Sequence, residues 1–119
     1  PKEVFNHYGK DSIIVANIAS PQTVRNIKQN QNVCVSFIDI LVQKGFQLKG
    51  TAEIIKKMDA EFNEMERLLT EITCGKYPFS TITKISVQHA KPIIAPNYIL
   101  YPETTEIEQI KSAKKVYNI

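Results

Sequence analysis

Glycine is scarce in this sequence, with only four in 119 residues, at positions 9, 45, 50 and 75. Spaced so widely, they cannot build a GxGxxG turn or a phosphate-cradling P-loop, so both of those nucleotide sites are excluded. Histidine and cysteine are just as sparse. His7 and His89 have no acidic or cysteine partners at ligand spacing, which argues against a metal centre. Cys34 and Cys74 stand far apart with no CxxC pattern, and are expected as reduced, buried thiols rather than a disulfide. No GxSxG elbow occurs, and no carboxylate pair stands out as an acid/base couple. The longest apolar stretch, Val33 to Val42, is interrupted by Ser36 and Asp39 and is too short and polar to span a bilayer. No signal-like leader opens the chain, so a cytoplasmic location is expected. Any chemistry would have to come from a cofactor.

Excess charge is also thin. Fifteen Lys and Arg against twelve Asp and Glu leave +3, spread along the chain apart from Lys56-Lys57 and Lys111, Lys114 and Lys115. Solvated faces account for these better than a nucleic-acid stripe, which needs denser clustering with exposed aromatics. With 43% hydrophobic and 23% charged residues, the chain reads as one globular domain over residues 1–119, long enough to bury a core without staples.

The elements follow from pattern. Lys2 to Tyr8 reads as an edge strand ending at the turn formers from Gly9 to Ser12, and Ile13 to Ala16 as a buried strand. Ser20 at an N-cap and Pro21 at the first helical position start a short helix, with Val24 and Ile27 inward, that ends at Asn30 to Asn32. Val33 to Val42 is apolar on both faces and is predicted to be a central strand. A turn at Gln43-Lys44-Gly45 follows, and then an alternating strand with Phe46, Leu48, Ala52 and Ile54 inward, making an antiparallel hairpin. Asp59 is expected to cap a helix carrying Phe62, Met65, Leu68, Leu69 and Ile72, with Gly75 at its end. Thr81 to His89 reads as a strand and Tyr98 to Tyr101 as another, brief one. Thr105 with Glu108 makes a capping box for a final helix with Ile107, Ile110 and Ala113 on one face. Such a pattern suits a barrel or an α+β fold better than a doubly wound sheet.

The informative stretch runs from Ile14 to Ile27, a buried strand leading straight into a capped helix. A helix N-terminus offers free N–H groups and about half a positive charge, and here the hydroxyls of Ser20 and Thr23 and the amide of Gln22 add donors. On these residues alone, an ordinary Ser-Pro helix start is the preferred reading, with an anion site as the alternative.

The segments NIASPQT (17–23), Arg25 to Ile27, NVCVSF (32–37), GFQLKGTAEI (45–54), APNY (95–98) and TEIEQI (105–110) occur in an order and spacing that resemble the pyridoxamine 5′-phosphate oxidase superfamily, above all its small predicted flavin-nucleotide-binding proteins. The resemblance covers nearly the whole chain. It implies a Greek-key, six-stranded antiparallel split β-barrel with peripheral helices, dimerising with FMN in a cleft at the subunit interface. It implies that Val15, Ala16 and Asn17 lie beside the isoalloxazine ring, and that Ser20, Gln22 and Thr23 form the phosphate turn. Lys2 falls near a position where a lysine reaches the phosphate. The family's N-terminal helix and first strand have no counterpart in these residues. Where relatives often carry basic residues, this chain has Pro21 and Gln22, so Lys2, Arg25 or Lys28 would have to supply the charge-assisted bonds. The substrate-binding residues of the true pyridoxamine phosphate oxidases have no match. The expected function is therefore an FMN-binding oxidoreductase with an unassigned small-molecule substrate. The alternatives are a non-catalytic module that stores or senses flavin or another planar ligand, and a basic nucleic-acid-binding domain.

Overall fold

In this computed structural model, which describes residues 2–119, the elements run β1 (Phe5–Tyr8), β2 (Ser12–Ala16), α1 (Pro21–Gln29), β3 (Asn32–Asp39), β4 (Lys44–Lys56), α2 (Phe62–Thr73), β5 (Thr81–Ile94), α3 (Pro96–Leu100) and α4 (Glu106–Tyr117). The sheet order is β1-β2-β5-β4-β3. β1 pairs antiparallel with β2 from Phe5↔Val15 to Tyr8↔Ser12, and β2 pairs antiparallel with β5 from Ser12↔Ser86 to Ala16↔Ile82. The architecture is thus α+β with a mainly antiparallel sheet. Six strands and barrel closure are not found among the described residues: there are five strands, and β1 and β3 stand at opposite ends of the sheet. The brief strand expected at Tyr98 to Tyr101 is helix α3. Pro96 occupies its first helical position with φ already fixed, and Tyr98 N–H donates to the Ala95 carbonyl.

The chain divides into two compact units. One comprises the residues up to Val33 with Lys49–His89, the other Cys34–Leu48 with Ala90–Ile119.

The first unit holds the main core, in which Ile14, Ala16, Ile55, Phe62, Met65, Leu69 and Ile82 are buried together, with Val4, Tyr8, Ile18, Leu68 and Phe79 packed against them. The β-branched run of β2 is buried because it lies between two strands, β1 and β5. In β4 the alternation holds from Leu48 to Ala52 and then slips by one, so Ile55 rather than Ile54 enters the core. Helix α2 buries Phe62, Met65, Leu69 and Thr73 and leaves Ile72 exposed. Its N-cap is Glu61, not Asp59. The Asp59 carboxylate instead accepts from Lys56 N–H at 2.7 Å, which closes the turn before the helix. The C-terminus falls where expected, with Cys74 and Gly75 both left-handed and Gly75 N–H donating to the Thr70 carbonyl. That geometry leaves Cys74 exposed, and Cys34 is exposed as well, so neither thiol is buried as predicted.

In the second unit the hairpin turn comes earlier than the apolar pattern suggests. β3 ends at Asp39, whose carboxylate accepts from the N–H groups of Leu41 (2.9 Å) and Val42 (3.0 Å), and Gln43 takes a left-handed φ of 59°. These bonds favour the charged carboxylate, and Val42 and then Leu41 hold Asp39 below the usual value of 3.8. A lowered pKa means that the turn's gain from ionised Asp39 is complete above the ordinary carboxyl range and drains away as pH falls through the lowered value. The protection of the Leu41 and Val42 amides relative to their intrinsic exchange rates should therefore fall on acidification, and in Asp39→Ala it should be low at every pH. β3 is an edge strand, not a central one. Phe37, Ile38 and Ile40 are exposed, and Phe46 is outward too, with its ring centroid 6.0 Å from that of Phe37. Helix α4 starts with the expected capping box, both Thr105–Glu108 bonds measuring 3.2 Å. It buries Gln109 and Ala113 rather than Ile107, and Gln109 Oε1 accepts from Asn97 Nδ2 at 3.3 Å.

Candidate functional site

All of the site lies within the first unit, where β2 runs into α1. β2 ends at Ala16, and Ala19 adopts a positive φ of 48° so that the chain can reverse into the helix. Ser20 is the N-cap residue, but its hydroxyl does not cap. Ser20 Oγ donates instead to the Ile18 carbonyl at 2.9 Å and accepts from Lys2 Nζ at 2.6 Å, and Lys2 Nζ also donates to Thr23 Oγ1 at 3.1 Å. The capping role read from the sequence is thus replaced by a bond within the turn. Ser20→Ala should cost about 0.5–1.5 kcal/mol through loss of the Ile18 bond, with helicity of α1 unchanged; chemical denaturation and far-UV circular dichroism measure the two.

No acidic residue lies in the first turn of α1. A lysine ammonium, two hydroxyls and the positive end of a helix therefore meet with Glu3 as the one carboxylate of the adjoining groove, an arrangement suited to an anion. Beside it opens a groove of about 270 Å³ lined by Lys2, Glu3, Val4, Ala16, Ile18, Ser20 and Tyr77. Pockets for drug-sized ligands run to about 300–1,000 Å³, so this groove suits the anionic end of a nucleotide better than a whole one.

The residues nominated from sequence divide accordingly. Lys2, Ala16, Ser20 and Thr23 gather at the groove and the helix start. Val15 is buried one residue away, paired with Phe5 and Thr83. Asn17 is buried, with both ends of its amide engaged: Nδ2 donates to Thr81 Oγ1 at 3.1 Å, and Oδ1 accepts from Thr83 Oγ1 at 2.8 Å. Gln22 is turned along its own helix, donating to Asn26 Oδ1 and accepting from Arg25, both at 2.7 Å. Sequence reasoning missed Glu3, Val4, Ile18 and Tyr77. Tyr77 lies 61 positions from Ala16 in the chain, and no local pattern ties the two together.

A second polar cluster of this unit is hydrogen-bonded and ion-paired within itself. Lys84 Nζ pairs with Glu61 at 3.1 Å and lies 4.0 Å from Glu53, and the Glu61 bond holds its pKa above the ordinary value. Tyr8 Oη donates to Glu64 at 3.1 Å, and partial burial, then that bond, raise the phenol. These groups tie β1, β4 and β5 to the start of α2.

The family model described as pyridoxamine 5′-phosphate oxidase matches residues 1–110. Among solved structures the fold is similar to HupZ of Group A Streptococcus (22% identity, 76% of this chain and 69% of that chain, TM-score 0.63). It is also similar to an FMN-binding protein from Syntrophomonas wolfei subsp. wolfei (18%, 79% and 66%, 0.60) and to General Stress Protein 26 from Bacillus anthracis str. Sterne (18%, 75% and 69%, 0.59). A search of the curated proteins finds no match. With the family model spanning all but the last nine residues, this chain belongs to the pyridoxamine 5′-phosphate oxidase family.

Proposed function

We propose that this protein binds FMN, with the phosphate at the start of α1, and works as an oxidoreductase on a small molecule. The observation that carries the reading is Lys2 Nζ converging with Ser20 and Thr23 hydroxyls over an uncapped helix N-terminus. Charge-assisted bonds from Lys2 to a phosphate would be about twice as strong as neutral ones, and would answer for the neutral Pro21 and Gln22. Val4, Ile18 and Tyr77 give the groove an apolar wall for the chain leading away from the phosphate. In this reading the ring lies past the end of β2, beside Val15, Ala16 and Asn17. Bound flavin would supply the hydride or electron transfer, while the protein's part is to fix and orient it.

A groove of this size does not enclose a ring system, and in a homodimer of split barrels with FMN at the subunit interface the second subunit would provide the second wall. Support comes from the second unit, which carries twelve of the sixteen large hydrophobics exposed among the described residues, including Phe37, Ile38, Phe46, Ile99, Leu100 and Tyr101; exposed apolar surface, where contiguous, marks interaction sites. In keeping with the family, the protein would act in the cytoplasm. No helix among the described residues is long and apolar enough to cross a membrane.

The test is the visible spectrum of the full-length protein after incubation with FMN and dialysis. Retained yellow colour supports the reading, and a colourless protein at saturating FMN overturns it. A non-catalytic flavin module is the second reading, favoured by a groove whose ionisable side chains are Lys2, Glu3 and Tyr77, with no paired acid and base. Bound flavin that neither NADH nor NADPH reduces would favour that module.

A further inference from the structure

We propose that Thr81 and Thr83 are positioning residues for the phosphate turn, acting through Asn17; the inference rests on reading the start of α1 as the phosphate end of the flavin site. Thr81 and Thr83 stand two apart on β5, so their side chains share a face of the strand. The β2–β5 ladder ends at Ala16↔Ile82, and Asn17 N–H continues it with a bond to the Thr81 carbonyl at 3.2 Å. Its side chain adds two more, Nδ2 to Thr81 Oγ1 and Thr83 Oγ1 to Oδ1, at 3.1 and 2.8 Å.

From that clamp the chain runs directly into the anion site, where further hydrogen bonds hold it. Ile18 N–H donates to the Ala16 carbonyl at 3.1 Å, the Ile18 carbonyl accepts from Ser20 Oγ, and Ser20 Oγ accepts from Lys2 Nζ. Between Ile18 and Ser20 sits Ala19 at φ 48°, a left-handed conformation that a non-glycine residue keeps only where its surroundings over-determine it. The Asn17 clamp and the Ser20–Ile18 bond are the constraints on either side of it. Valine in place of either threonine keeps the shape and the burial but deprives one end of a buried amide of its partner. The amide must then turn or recruit water, and the segment from Asn17 to Ser20 loses its fixed direction. The effect should fall more heavily on the phosphate end of a ligand than on a ring lying beside Asn17.

The experiment compares FMN with riboflavin, which lacks the phosphate, by flavin-fluorescence titration of the full-length wild type and of Thr83→Val, Thr83→Ser and Thr81→Val. Thr83→Val should lower FMN affinity about tenfold more than it lowers riboflavin affinity, a difference equivalent to one weakened charge-assisted bond, because riboflavin feels only the change at Asn17 beside the ring. Thr83→Ser, which keeps the hydroxyl, should restore the FMN preference. If Thr83→Val does not fold, Thr81→Val, at the less buried threonine, carries the same expectation. An unchanged ratio of FMN to riboflavin affinity in the valine variants would make the clamp a fold staple only and overturn the inference. A wild type that binds FMN no better than riboflavin would overturn the phosphate reading itself, and the inference with it.

Discussion

Lys2→Ala is expected to lower FMN affinity by about tenfold to a hundredfold, equivalent to about 1.5–3 kcal/mol of hydrogen bonding to a charged group. The folded protein without flavin should be as stable as before, or up to about 0.5 kcal/mol more stable. The second half of that expectation follows from the helix dipole. The Lys2 ammonium is held by two neutral hydroxyls over the positive end of α1, with no acidic residue in the first turn, where a cation is disfavoured by about 0.3–1 kcal/mol. Its two exposed hydrogen bonds offset much of that cost. A bound phosphate reverses the sign, because the anion meets the ammonium, the hydroxyls and the free N–H groups together. Affinity from fluorescence titration and stability from chemical denaturation therefore move apart in this variant. A large loss of stability with unchanged FMN affinity would make Lys2 a strut of the turn rather than a ligand.

A large loss of stability is expected from Gly50→Ala. Gly50 lies in β4 and is buried, and a Cβ there would meet the backbone carbonyl oxygen of Ser86 in β5 inside van der Waals contact, with Val87 Cα only 3.1 Å away. A flexible side chain could move aside, whereas paired backbone cannot without parting the two central strands. Overpacking a well-filled core costs about 1–3 kcal/mol. A clash against backbone belongs at or above the top of that range, a large share of the 5–15 kcal/mol that holds a typical domain together. Urea denaturation should show an unfolding free energy lowered by that amount, and a value within about 0.5 kcal/mol of wild type would mean that β4 and β5 separate freely at this point.

Local chemistry was legible where one short segment decides the outcome. The β-branched run Ile13 to Ala16, the Ser20-Pro21 helix start and the Thr105–Glu108 capping box each state their structure in a few residues, and each element formed. Misreadings came where a partner distant in sequence, or its absence, decides. Val33 to Val42 is apolar on both faces in either an edge or a central strand, and only the sheet order assigns β3 to the edge. Asp39 closed the hairpin turn early because its carboxylate found two backbone N–H groups that apolar patterning does not register. Tyr98 to Tyr101 has strand-like composition, but Pro96 outweighs it and starts a helix. At the candidate site Ser20 was nominated as a cap, whereas its oxygen serves Lys2, 18 residues earlier in the chain. That contact exists only because β1 and β2 fold back on each other, and family resemblance alone had pointed to Lys2.

The central claim is that a flavin nucleotide seats its phosphate on the α1 turn. It is tested most directly by the ¹H–¹⁵N amide spectrum of the full-length protein titrated with FMN and, separately, with riboflavin. FMN should move the amide signals of Ser20, Gln22, Thr23 and Val24 well beyond any change that riboflavin causes there. Saturating FMN that leaves those four amides where they stand in the free protein would contradict it.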